Sequence, residues 1–239
     1  MVAPRLKVDF HVHTSEDPKD RDIRYSAKQL LDAAAEYQFD VITIANHAAC
    51  LASDELRRYA EARGILLIPG VEAYVEGKHV VIVNCHQPYR EGLTFETVRA
   101  YAGEQALIIA PHPFYPQRYC LKDQLEHHIA VFDAIEYAHL HFRFLNFNRR
   151  AVEIAHKYDV PLVGTSDAHE LRQLNTTYSL IEAEKDVSAI IDAVRHHRVE
   201  VVTHPLGFWE FLKAGCEFGF SSAKKLFRHR DQDVTHNSE

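Results

Sequence analysis

Apolar, strand-like runs in this chain end repeatedly in residues that bind metals. Val8-Asp9-Phe10 leads into His11-Val12-His13, and Ile42-Thr43-Ile44-Ala45 leads into Asn46-His47. Leu66-Leu67-Ile68-Pro69-Gly70 runs toward Glu72, and Leu107-Ile108-Ile109-Ala110 into Pro111-His112-Pro113. Leu162-Val163-Gly164-Thr165 runs into Ser166-Asp167-Ala168-His169. Residues i and i+2 of a strand share a face, so His11 and His13 can grip one ion. Asp167 and His169 can do the same where a strand end bends. Glu72 offers two oxygens and can bridge two ions. Imidazole and carboxylate together suit zinc, manganese or iron. Two such ions about 3.5–4 Å apart generate a hydroxide and clamp both the attacking and the leaving oxygen of an ester. No Ser-His-Asp arrangement, phosphate-cradling glycine loop or dinucleotide fingerprint competes with this chemistry.

The elements that must carry these residues read as strands alternating with helices. Strands are predicted at 6–12, 41–45, 65–69, 79–84, 106–110, 134–137, 161–165 and 199–203. Helices are predicted at 27–37, 53–63, 94–103, 144–158 and 187–196. The Leu30, Leu31, Ala34, Ala35 spacing places an apolar stripe on one helix face, as packing on a sheet requires. Strand–helix repetition implies parallel strands with right-handed crossovers. In a β/α barrel the C-terminal strand ends meet on one face, which would gather all five ligand-bearing ends. Residues 65–83 break the alternation as strand, turn and strand about Glu76-Gly77, a hairpin that would bring Glu72 near His79. No repeat or linker divides the chain. One α/β barrel domain is expected over 1–205, with 206–239 a helical tail packed on the same domain and its last residues disordered.

At these residues the sequence resembles the PHP (polymerase and histidinol phosphatase) family. The matching segments are Asp9-Phe10-His11-Val12-His13-Thr14, Asn46-His47, Pro69-Gly70-Val71-Glu72, His79, Pro111-His112-Pro113 and Gly164-Thr165-Ser166-Asp167-Ala168-His169. The ordered set is specific, although H-x-H alone is weak, and it spans most of the chain. The resemblance implies a distorted seven-stranded β/α (TIM-like) barrel, two or three divalent ions and phosphoester hydrolysis. It implies a first ion on His11, His13, Glu72 and Asp167. A second would lie on Glu72, His79 and His112, and a third on His47, His169 and an acidic residue, taken as Asp17. Glu136 and Asn148 match recurrent supporting positions. Two departures touch the third site: Asn46 replaces the family's usual Asp, and Glu16-Asp17-Pro18 stands where S-D-G is usual.

The expected reaction is hydrolysis of a phosphomonoester by hydroxide held between the ions, with His169 or His47 positioning or protonating the leaving group. Arg24, His141 and Arg143 are candidates to contact the phosphate. One alternative is a nucleotide-directed enzyme acting on nucleoside bisphosphates or short oligonucleotides. Another is a TatD-like nuclease or amidohydrolase, against which the S-D-A-H ending and His79 argue. A third is a PHP-like binding module without activity. Of the 17 histidines, His127, His128, His156, His196 and His197 fall on helical stretches and read as surface residues, while His86, His139 and His204 follow strands at a possible pocket rim. The net charge of −7 provides no global basic field for a long nucleic acid, so the expected partner is a small phosphorylated substrate. Four cysteines without a C-x-x-C pair, no signal-peptide pattern and no membrane-length apolar run point to a cytoplasmic protein.

Overall fold

The structure, a computed structural model, describes residues 3–142 and 145–205. In chain order the elements are β1 (Arg5–Val12), α1 (Ala27–Glu36), β2 (Val41–Ile44), α2 (Asp54–Glu61), β3 (Leu66–Val75), β4 (Lys78–Val83), α3 (Val98–Ala102), β5 (Leu107–Ala110), α4 (Gln124–His127), β6 (Ala134–Ala138), β7 (His141–Phe142), β8 (Leu145–Asn146), α5 (Arg149–Tyr158), β9 (Leu162–Thr165), β10 (Thr177–Glu182), α6 (Val187–Arg195) and β11 (Val199–Thr203). Residues 1–139 with 147–204 form one compact unit. The β7–β8 hairpin belongs to a second unit. The tail's expected helices lie outside the described residues.

The main sheet has nine strands in the order β11-β10-β1-β2-β3-β4-β5-β6-β9. The sheet therefore has two strands more than the seven that the resemblance implies. β10 and β11 extend it past β1 as an antiparallel hairpin. The parallel pairing implied by strand–helix repetition is interrupted at two places, the first of them the expected hairpin. β3, β4 and β5 pair antiparallel in succession, because the Glu76-Gly77 turn folds β4 straight back on β3. β10 was not predicted at all, since its inward positions include Thr177 and Ser179 and so hide the apolar alternation.

Ser179 is polar for a reason that concerns closure. Its Oγ accepts from Gly164 N at 2.9 Å and donates to Gly164 O at 3.0 Å, which joins β9 to the far side of the sheet. A Cβ on Gly164 would lie 2.5 Å from Tyr178 O, so only glycine permits this approach. The chain beyond β9 continues the closure, with Val12 and Ala168 forming a parallel bridge and His13 N donating to Ala168 O at 3.1 Å. The result is a nearly closed, barrel-shaped sheet in a mixed α/β fold.

Packing follows the strand period of two. Val81, Val83, Leu107 and Ile109 join one core cluster with Phe10, Ile190 and Ile191. The alternate residues Val80, Ile82, Ile108 and Ala110 join another with Ala151 and Ile154 of α5. A third packs Leu30, Leu31 and Ala34 of α1 on Ile42 and Ile44. Helix starts are set by local polar groups. Ser26 and Gln29 form a capping box at α1, and the Asp186 carboxylate caps α6. α5 starts at Arg149 rather than at 144. Asn148 does not cap it; its amide instead donates to Ala138 O and accepts from Ala138 N, tying the helix start to the end of β6. Among the described residues no helix is long and apolar enough to cross a membrane.

Candidate metal centre

The strand ends deliver their side chains to one buried cluster. β1 supplies His11 and leads to His13, beside a register shift between Asp9 and Val12 in its pairing with β2. Within the β3–β4 hairpin Glu72 pairs with Val81, so His79 stands two positions along on the same face. His112 (φ +27°) and Asp167 (φ +44°) follow β5 and β9 in the left-handed region, which is costly for side-chain-bearing residues and turns the chain sharply at the cluster. His47 follows β2 and bridges to Glu72 through the backbone.

Glu72 is the hub. Its Oε2 lies 2.9 Å from His47 Nε2, 3.5 Å from His13 Nε2 and 3.6 Å from His11 Nε2. Its Oε1 lies 2.7 Å from His79 Nδ1 and 3.2 Å from His112 Nε2. Asp167 Oδ1 approaches His13 Nε2 at 3.4 Å and His11 Nε2 at 3.5 Å. Three donor groups are close enough to hold an ion: His11–His13–Asp167, His11–Glu72–His112 and His13–His47–Glu72.

Carboxylates behind the rings fix how they face. Glu136 Oε2 meets His11 Nδ1 at 2.8 Å. Asp17 Oδ2 meets His13 Nδ1 at 3.1 Å and His47 Nδ1 at 2.8 Å. Each carboxylate accepts an Nδ1–H, which leaves the Nε2 lone pairs pointing into the cluster. His11 Nε2 and His13 Nε2 then face one another at 3.1 Å. Two lone pairs at that distance repel unless a cation or proton lies between them. His79 adds a second mismatch: both ring nitrogens are buried without an aligned hydrogen bond, although Glu72 Oε1 is at contact distance. Among the described residues no Lys or Arg pairs with Asp17, Glu72, Glu136 or Asp167; every ionic partner is a histidine. Buried carboxylates need countercharge, and this donor set fits divalent cations.

The electrostatics agree. Burial opposes charge on Glu72, yet His79, His47 and His11 hold its carboxyl well below the usual range. Burial likewise opposes charge on Asp167, which His11 and His13 hold well below normal. Burial disfavours a charged His47, but Glu72 and Asp17 raise it to about 10. Burial wins at His79, lowering it to about 4 despite Glu72. Without metal, protons on histidine carry the countercharge.

The sequence-predicted residues divide accordingly. Of the expected first-ion set, His11, His13 and Asp167 form one donor group and Glu72 enters the other two, while His112 and His79 gather at the Oε1 oxygen of Glu72. Of the third set, His47 joins His13 and Glu72. Asp17 stands behind His13 and His47 as an orienting carboxylate and enters no donor group. His169 also enters none: its Nδ1 meets Asp167 O at 2.9 Å, its Nε2 faces Asp20 Oδ2 at 3.5 Å, and its ring lies 4.5 Å from that of His13. Glu136 meets His11, and Asn148 bonds the backbone of Ala138. Arg24 is exposed, His141 lies in the separate hairpin, and Arg143 lies outside the described residues. His139 is buried rather than on a rim.

Three residues were missed. Asp9 accepts from His11 N and Ser166 N, joining the ends of β1 and β9, and burial raises its carboxyl to about 7 against those bonds. Its place two residues before His11, on the same strand face, was the available signal. Asp20 and Cys120 had none. The Asn46 departure has a clear role: its side chain accepts from Thr14 N and donates to Thr14 Oγ1, each at 2.9 Å, fixing the chain just past His13.

The PHP-associated family profile matches residues 146–199. No curated protein matches. Among solved structures, PsfC from Pseudomonas syringae superposes with a TM-score of 0.61 at 18% identity, covering 84% of this chain and 92% of that one. A protein from Bifidobacterium adolescentis described as a metal-dependent phosphoesterase gives 0.54 at 18% identity, covering 70% and 89%. An amidohydrolase from Chromobacterium violaceum, solved with sulfate and no metal, gives 0.53 at 14% identity, covering 68% and 87%. At these identities the likeness is one of fold. The family match is confined to residues 146–199, and over the rest of the chain the likeness to these structures is one of fold.

Proposed function

We propose that the protein is a metal-dependent phosphoesterase that hydrolyses a small phosphomonoester. The observation that carries this is the gathering of His11, His13, His47, His112, Glu72 and Asp167 donor atoms into three overlapping buried groups, with no Lys or Arg paired to the carboxylates among the described residues. Similar folds occur in proteins described as a metal-dependent phosphoesterase and an amidohydrolase, which supports metal-dependent hydrolysis as the broader class. Zinc, manganese or iron ions bound there would supply Lewis acidity toward a phosphoryl oxygen and lower the pKa of water.

The residues of the chain supply the rest. Glu136 and Asp17 keep three imidazoles turned toward the ions. Glu72 serves both sides of the cluster at once. His169 is the most open of the ring's histidines, with its side chain 35% exposed, and its Nε2 faces Asp20. That place suits it to position the leaving group, while burial and His13 lower its pKa and disfavour a charged ring.

The test is hydrolysis of small phosphomonoesters and of short oligonucleotides by protein stripped of metal and reloaded with Mn²⁺, Zn²⁺ or Fe²⁺. Release of phosphate from a monoester, dependent on reloading and lost in H13A, supports the reading. Cleavage of the oligonucleotide alone would move it to a nucleotide-directed enzyme, and hydrolysis of neither, with metal bound, would overturn it.

A further inference from the structure

Glu72 divides the cluster in two. The rings on its Oε2 side are each held at Nδ1 by a carboxylate: His11 by Glu136, and His13 and His47 by Asp17. His112, on the Oε1 side, is held differently. Its Nδ1 lies 3.4 Å from Sγ of Cys120, a fully buried thiol. The Cys120 S–H in turn donates to Gln117 Oε1 at 3.7 Å. A thiol that already donates presents a sulfur lone pair, so His112 is set to donate Nδ1–H to sulfur and keep its Nε2 lone pair for Glu72 and the ion.

The surrounding loop is built to keep that contact. His79 N donates to Tyr119 O at 2.9 Å, and Lys78 Nζ donates to Arg118 O and Cys120 O at 2.7 and 3.1 Å. These bonds pin residues 118–120 against the start of β4. The Tyr119 ring stacks on His79 with centroids 4.2 Å apart and planes 12° apart. Adjacent residues of one loop thus position both histidines of the Oε1 side, Tyr119 acting on His79 and Cys120 on His112. An independent sign that an ion belongs there is His79 itself, buried, aimed at the same Glu72 oxygen and lacking an aligned hydrogen-bond partner.

We propose that Cys120 is the positioning residue of His112, and that this thiol contact sets the affinity of the ion on the Oε1 side of Glu72 separately from the ion on His11, His13 and Asp167. The inference rests on the metal-centre reading. A sulfur acceptor is weaker than a carboxylate, so the Oε1-side ion is the more loosely held.

The test strips wild type, C120A, C120S and H112A of metal and titrates each with Mn²⁺ against a fluorescent chelator, with thermal melts in parallel. C120A is expected to weaken the loosest equivalent about 10- to 100-fold, the usual effect of removing a ligand's hydrogen-bond partner, and to leave the tightest within about twofold. C120S, whose hydroxyl still accepts from Nδ1–H, is expected to recover most of the loss, and H112A to lose the same equivalent. A C120A curve like that of wild type, or a loss falling on the tightest equivalent, would overturn the proposal. Ring ¹⁵N shifts of His112 in wild type, assigned by difference with H112N, decide the matter without a destabilised variant. The Nδ1–H tautomer is expected, and Nε2–H overturns it. Wild type that takes up no metal fails the metal-centre reading itself, an outcome distinct from these.

Discussion

At the residue scale the centre depends on which ring nitrogen carries a proton. Glu136 is buried and touches His11 only at Nδ1, so E136Q should leave the fold intact yet weaken metal binding about 10- to 100-fold. Elemental analysis with a thermal melt checks this; unchanged metal content would remove Glu136 from the centre. The same proton logic gives a pH dependence. His47 sits at about 10 in the metal-free protein, so it is protonated at pH 7 and must lose that proton to bind metal. Apparent affinity should therefore rise with pH by about tenfold per unit for each proton released, and fall on acidification. Acid release in a weakly buffered Zn²⁺ titration measures it, and a pH-independent affinity would contradict it. Most candidate ligands were legible in the sequence because His11, His13, Glu72, His112 and Asp167 each follow an apolar run. Cys120 and Asp20 were not, because their place comes from loop backbone bonds such as His79 N to Tyr119 O, which no local pattern encodes.

At the element scale the site depends on how the sheet closes. Gly164 and Ser179 lock β9 to β10, and the chain leaving β9 carries Asp167. A methyl at Gly164 would meet backbone atoms of Tyr178 at 2.5 and 2.9 Å, and backbone cannot yield as a side chain can. G164A should cost about 1–3 kcal/mol, the usual range for overpacking, read as a lower urea midpoint at unchanged slope. A wild-type midpoint would mean the closure is looser than described. The β1–β2–β3 run and the β3–β4 hairpin were readable from apolar runs and the Glu76-Gly77 turn. β10 was not, because its buried Thr177 and Ser179 serve hydrogen bonds rather than the apolar core. The start of α5 was placed early because Asn148 looks like an ordinary helix residue until its bonds to Ala138 are seen.

At the scale of the whole molecule, metal binding by these histidine-balanced buried carboxylates would be coupled to folding. Ions that bind only the folded state should stabilise it by about 2.7 kcal/mol at a hundred times Kd. For a domain of this size that is roughly 5–10 °C in Tm, measurable by comparing chelated and Mn²⁺-loaded protein. The most direct measurement is the metal content of freshly purified protein, with H13A handled in parallel. A metal-dependent centre predicts about two to three equivalents of zinc, manganese or iron in wild type and a clear reduction in H13A. No bound metal in wild type, and none taken up when Mn²⁺ or Zn²⁺ is added, would contradict the metal centre and with it the proposed hydrolysis.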